Sequence, residues 1–139
     1  IDGPDGLIIG CGSLAGSCLA AVEELQKEGL NVGLINARFI KPLDKDTLLK
    51  RIQMSPWVVS VEENTLQAGF GSAILEAIHD AALQTGPIRR LGIPDQFIEH
   101  GDRADLLSSL TLDASGIANV CRELSGQTAT AAVAAPLQD

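Results

Sequence analysis

The chain of 139 residues carries 18 acidic against 10 basic side chains, a formal net charge of −8, and is 45% hydrophobic, 20% charged and 3% aromatic. These figures fit one domain with a real core and exclude extended disorder over most of the length. The acid excess, with four aromatics in all (Phe39, Trp57, Phe70, Phe97), excludes a nucleic-acid binder, which needs clustered cations against phosphate and rings on which bases stack. No apolar run reaches the roughly 20 residues that cross a bilayer, so no membrane partner is expected. Cys11, Cys18 and Cys121 are odd in number and carry no metal-ligand spacing, which points to a reducing compartment.

Gly3-Pro4-Asp5-Gly6 is dense in turn chemistry, and residues 1–6 read as a turn or linker from a missing upstream domain. With Ile1 in first place, the sequence reads as a piece of something longer. Leu7 to Cys11 is a short apolar run of buried-strand type. Ser13 is a candidate cap for a helix that turns Leu14, Cys18, Val22 and Leu25 inward, with Gly29 at its C-terminal stop.

A second strand is expected at Val32 to Ile35, and a loop from Arg38 to Leu43 because Pro42 has no N–H for a ladder. Asp44 caps a short helix carrying Leu48, Leu49 and Ile52. Trp57 to Val61 is the third strand, and Glu62 to Gly69 is read as a loop. The next helix has Ile74, Ile78 and Ala81 inward and closes at Gly86-Pro87. Ile88 to Leu91 is a fourth strand at an edge. Asp102 caps a one- to two-turn helix, and Asp113 or Ser115 starts the last one, with Ile117, Val120, Cys121 and Leu124 on its apolar face. Beyond Gly126 periodicity is lost, so 127–139 read as a disordered tail and 7–126 as the folded domain.

Strands alternating with helices imply an α/β fold, a three-layer α/β/α sandwich on a mostly parallel sheet of four to five strands. In such a sheet functional groups gather beyond the carboxyl ends of the strands, which places Ser13, Arg38, Glu62, Glu63 and Asp95 on one edge. Gly10-Cys11-Gly12-Ser13-Leu14-Ala15 fits a G-x-G-x-x-A phosphate turn between strand and helix. Asn36 stands where a ribose-binding acid belongs, and Arg38 offers a contact for the 2′-phosphate of NADP. A plain tight turn explains the same residues.

Cys11 lies where a helix dipole favours a thiolate, but its apolar neighbourhood reads as structural, like that of Cys18 and Cys121. Successive residues leaving a strand point to opposite sides, so Glu62 and Glu63 are not a facing acid–base pair. One is expected to pair with a cation such as Arg38, the other to face solvent or a partner. His79 reads as a surface side chain. Phe97, Ile98 and His100 sit in a long loop suited to interface or structural duty.

Three segments carry a family likeness. Asn36 to Asp44 (NARFIKPLD), Val61 to Asn64 with Gly69 to Ala73 (VEEN and GFGSA), and Leu91 to Gly101 (LGIPDQFIEHG) resemble, in this order, stretches of the 1-deoxy-D-xylulose-5-phosphate synthase family. The first two also look like other transketolase-type C-terminal domains, among them that of 2-oxo acid dehydrogenase β subunits. Departures are modest: Asn36 replaces an Asp, and Gln67-Ala68 a glycine.

The resemblance implies a third, C-terminal domain that serves packing and homodimerisation and is inert in isolation. The parent reaction would join pyruvate and D-glyceraldehyde 3-phosphate on thiamine diphosphate and Mg²⁺ with loss of CO₂. In that family the cofactor and metal are bound by upstream domains, so no catalytic, cofactor-binding or metal residue is assigned here. The candidate contact residues are Arg38, Phe39, Glu62, Phe70, Phe97 and His100. The expected compartment is the bacterial cytoplasm, with a plastid as the alternative. The competing functions are a free-standing NADP-binding module using Gly10, Gly12 and Arg38, or the C-terminal part of a 2-oxo acid dehydrogenase β subunit.

Overall fold

In the computed structural model of the chain the backbone is described for residues 1–134 and the side chains for residues 1–126. Four strands, β1 (Leu7–Cys11), β2 (Gly33–Ala37), β3 (Val58–Thr65) and β4 (Ile88–Ile93), form one all-parallel sheet in the order β2-β1-β3-β4. Five helices accompany them: α1 (Ala15–Lys27), α2 (Lys45–Gln53), α3 (Phe70–Asp80), α4 (Arg103–Ser109) and α5 (Ala114–Ala134). The chain steps from β1 to β2 on one side and then crosses back over β1 to β3. That reversal puts α1 and α5 on one face and α2 and α3 on the other, giving the three-layer α/β/α sandwich with four strands.

Both faces of the central strands are roofed, which is why their sequences read as unbroken apolar runs rather than alternations. Leu7, Ile8 and Ile9 are all fully buried. Ile8, Val59 and Val61 face Leu14, Cys18 and Leu25 of the α1 side and Ile117 and Cys121 of α5. Leu7, Ile9 and Val58 face Leu48 and Ile52 of α2 and Phe70 and Ile74 of α3. Each such side chain contributes about 1.5–3 kcal/mol relative to exposure. Trp57, also fully buried, fills the α1 side. A Cβ on Gly6 would overlap its indole ring, so that turn has room for glycine alone.

Several boundaries differ from the sequence expectation. β2 begins at Gly33 because Val32 pairs outward, in an antiparallel bridge with Pro4. Ile1 exchanges two backbone hydrogen bonds of 3.0 Å with Leu34, and Asp5 accepts from the Asn31 N–H at 2.6 Å. Residues 1–6 therefore lie along the outer margin of β2. β3 runs on through Glu62 to Thr65, where a loop was expected, with an irregular register against β4 between Val61 and Thr65.

Ser13 does not cap α1; it lies in a short 3-10 turn (Gly12–Leu14) and no side chain caps either element. Asp44, Asp102 and Asp113 do cap, accepting from the N–H groups of Thr47 (3.1 Å), Ala104 (2.8 Å) and Gly116 (2.8 Å). α5 continues past Gly126 to Ala134, since an alanine-rich stretch sustains a helix well. Of the expected tail 127–139, residues 135–139 lie outside the described residues.

Three helices end in one pattern, with N–H groups just past the helix returning to carbonyls of its last turn. After α1, Gly29 bonds Gln26 and Leu30 bonds Leu25. After α3, Ala82 bonds His79 and Leu83 bonds Ile78. After α4, Thr111 bonds Ser108 and Leu112 bonds Leu107. In each case the leucine just beyond the turn packs onto the core. Burying Leu83 thus ends α3 at Asp80, ahead of the expected Gly86-Pro87 stop. The pattern requires a left-handed residue, which is Gly29 (φ 86) in one case but Ala82 (φ 49) and Thr111 (φ 59) in the others. Ala82→Gly is expected to raise unfolding stability by about 0.5–1 kcal/mol by removing that steric penalty, read as a higher urea midpoint with unchanged slope.

Candidate functional site

The carboxyl ends of the strands gather the predicted polar residues in two separate groups, because alternate residues of β3 point to opposite faces. Glu62 turns toward α3 and is 1% exposed. Its carboxylate accepts from the Phe70 N–H at 2.6 Å and the Gly71 N–H at 2.8 Å, two of the donors that the first turn of α3 leaves without helical partners. A negative charge at a helix N-terminus also meets the positive end of the helix dipole. Gly69 makes the approach feasible, since a Cβ there would overlap the Glu62 carboxylate and the Thr65 carbonyl. Arg90 locks the connecting turn, donating to the Leu66 carbonyl at 2.6 Å and to Ser72 Oγ at 3.0 Å.

Glu63 turns to the other face. Arg103 grips it with both arms, Nε to Oε1 at 2.9 Å and Nη2 to Oε2 at 2.5 Å, and Ser13 Oγ donates to Oε2 as well. The Arg103 guanidinium, and after it the Ser13 hydroxyl, hold the Glu63 carboxyl below the usual glutamate range. The cation expected for this pair was Arg38. It is Arg103, forty residues along the chain, and no sequence signal beyond its place behind the Asp102 cap marked it. The Ser13–Glu63 bond spans β1 and β3, the strands between which the topology reverses and where an α/β sheet ordinarily takes a ligand. The protein's own carboxylate occupies that crevice, so a pyrophosphate at the glycine turn would meet like charge.

The six candidate contact residues divide by burial. Phe70, 2% exposed, and Glu62 are interior, so they build the start of α3 rather than offer a surface. Phe39 is 72% exposed and Phe97 fully so; Arg38 and His100 are exposed as well. Arg38 and Phe39 border a hollow of about 210 Å³ between the end of β2 and the start of α2. Asp95 and Phe97 border one of about 350 Å³ beyond β4. His79 lies on the surface.

Cys11, Cys18 and Cys121 are free thiols inside the core. Burial pushes Cys11 up to about 11, with the nearby Glu62 charge adding to it, and pushes Cys18 and Cys121 up to about 12. These thiols stay protonated at neutral pH and are poor nucleophiles. All three should remain unreactive toward a disulfide reagent at pH 8 in the folded chain and react at once in denaturant. A thiol that titrates in the native state would contradict this.

The two glutamates should also separate by experiment. Gln at position 62 offers one acceptor to two buried N–H groups, so Glu62→Gln is expected to cost about 1–3 kcal/mol. The Glu63 and Arg103 side chains are 29% and 60% exposed, and their pair is worth at most about 1 kcal/mol. Because the folded state lowers the Glu63 value, its contribution is complete above the ordinary glutamate value of 4.5 and is lost as pH falls through the folded value. Glu63→Gln should flatten that acid limb in denaturation curves taken across the carboxylate range.

Residues 1–117 match the family described as "Transketolase, C-terminal domain". The 1-deoxy-D-xylulose-5-phosphate synthase of Rhodopirellula baltica is 44% identical over 126 residues, 91% of this chain and 20% of that protein. The synthase of Bacillus velezensis is 44% identical over 117 residues, 84% of this chain and 18% of that protein. The chain thus spans about one fifth of the length of these relatives. Among solved structures, one described as "Split gene transketolase, inactive beta4 tetramer" superposes with TM-score 0.78 at 25% identity, over 90% of this chain and 39% of that one. The transketolase of Campylobacter jejuni shares the fold, with TM-score 0.61 at 17% identity over 88% of this chain and 17% of that one. With the parallel four-strand sheet and the matched span taken together, the chain belongs to the transketolase C-terminal domain family.

Proposed function

We propose that this chain is the C-terminal domain of a thiamine-diphosphate-dependent 1-deoxy-D-xylulose-5-phosphate synthase. In this reading it serves packing and homodimerisation, and does no chemistry alone. The observation that carries the reading is the span of the likeness, nine tenths of this chain on one fifth of synthases at 44% identity. The parent reaction would be condensation of pyruvate with D-glyceraldehyde 3-phosphate and release of CO₂. Thiamine diphosphate would supply the electron sink for decarboxylation, held with Mg²⁺ by upstream domains. This domain's own donors do not fit a metal-bound diphosphate: among the described residues no three His, Cys, Asp or Glu side chains converge as a metal would need. The compartment in this reading is the bacterial cytoplasm.

The docking surface would be the exposed part of the carboxyl edge, where Arg38, Phe39, Phe97 and His100 stand out from two loops. Large apolar side chains left in water favour a partner surface. The NADP reading is disfavoured by Glu63, whose carboxylate lies against the turn that would have to take the phosphates.

The intact mass and bound cofactor of the native polypeptide test the proposal first. A chain several times longer that carries thiamine diphosphate is expected; a native product near 14.5 kDa would overturn it. In the longer chain Phe39→Ala and Phe97→Ala should each weaken subunit association or turnover by about tenfold or more, the scale of an interface anchor. A saturable stabilisation by NADP⁺, worth about 2.7 kcal/mol at one hundred times its Kd, would favour the competing reading.

A further inference from the structure

Among the described helices α4 has the sparsest backbone contact with other elements. α1 lies along α5, α3 lies on β3 and α2 touches α3, whereas α4 joins the core chiefly through Leu107 and Leu110. Ile93, Ile98, Leu106, Leu107, Leu110 and Leu112 line a hollow of about 180 Å³ that is partly open to water. Side chains facing such a hollow lack partner atoms on that side and forgo contacts that hold other helices down. At its N-terminal end α4 is clasped by the Arg103–Glu63 pair, in which the Arg103 side chain is 60% exposed. At its C-terminal end stands Thr111 at φ 59, a left-handed conformation that a β-branched residue resists. The segment leading into α4 carries the fully exposed Phe97 at its tip.

We propose that residues 94–110 form a strap that lifts from the domain as one unit, with Thr111 as hinge and the Arg103–Glu63 pair as clasp. Opening relieves the hinge and trades an exposed ion pair for solvated charges. It uncovers Leu107, 9% exposed, and the walls of a hollow that is already partly open to water. The burial of Leu107 keeps the closed state dominant. Leu112, fully buried beyond the hinge, stays in the core and limits the movement to the strap. Local opening of this kind draws on the low-stability end of a fold while the rest remains intact. Since the strap bears Phe97 and His100, the clasp sets how that part of the carboxyl edge is presented. The inference rests on the geometry of this chain and does not depend on the identity of a longer parent.

Hydrogen–deuterium exchange of the 139-residue chain at pH 7, read by peptide mass, tests it. Amides of residues 106–110, which bond to carbonyls four residues back, should exchange at least tenfold faster than the equally bonded amides of α1 and α3. Arg103→Ala should speed exchange in 94–110 about two- to fivefold and leave α1 and α3 unchanged. Thr111→Gly, which removes the strain of the closed hinge, should slow it by about fivefold in the same segment. Rates in α4 equal to those of α1, or variants that shift every segment alike or leave 94–110 unmoved, overturn the proposal.

Discussion

A parallel strand roofed on both faces must send its successive side chains to different layers, and at the end of β3 those side chains are charged. Glu62 and Glu63 are neighbours in sequence, yet one enters the α3 layer and the other the α1 layer. The pleat alone makes this division. On one side a buried carboxylate supplies the acceptors that the first turn of α3 lacks, and this ties the last helix-to-sheet crossover to the central strand. On the other side a carboxylate bridges the first turn of the domain to α4. A shift of one residue in β3 would exchange the two and leave both layers with unpaired buried groups, so register and polar pairing enforce each other.

The same division separates the chemistry that topology brings together. The crevice at the reversal between β1 and β3 is where sheets of this kind hold phosphates. Here it is bridged by Ser13 and Glu63 and lies beside a buried glutamate whose acceptors are already committed. Ser13, Glu62 and Glu63 are engaged with backbone or with neighbouring side chains, while Arg38, Phe39, Asp95, Phe97 and His100 face water. In the proposed reading it is this second group that protein covers.

Much of this was legible in the residues. The strands and the layer order derive from unbroken apolar runs alternating with helical periodicity, and Asp44, Asp102 and Asp113 announce their helices by spacing alone. The burial of the three cysteines accords with their place on apolar faces. The features that escaped reading depend on distance or on disobedience of local preference. Nothing local connects Arg103 to Glu63, or Ile1 to Leu34. Ala82 and Thr111 adopt a conformation that their own side chains disfavour because Leu83 and Leu112 gain burial from it, and a tertiary gain of that kind leaves no mark on the turn residues. Glu62 was legible as a strand-end acid, but its role required Gly69 and Phe70 to be brought against it.

The pairing of the first residues with β2 makes the two margins of the sheet unequal. On the β2 side Ile1 occupies both outer hydrogen-bonding groups of Leu34, Asp5 donates to the Asn31 carbonyl, and Pro4, bridged to Val32, has no N–H to offer onward. On the β4 side no further strand pairs among the described residues, and protection falls to charge, with Arg89 exposed on the margin. A sheet with one sealed margin and one charged one has a single direction in which it can grow. The covered β2 margin is thereby a poorer template than β4 for the strand addition from which open-ended, filament-like growth begins.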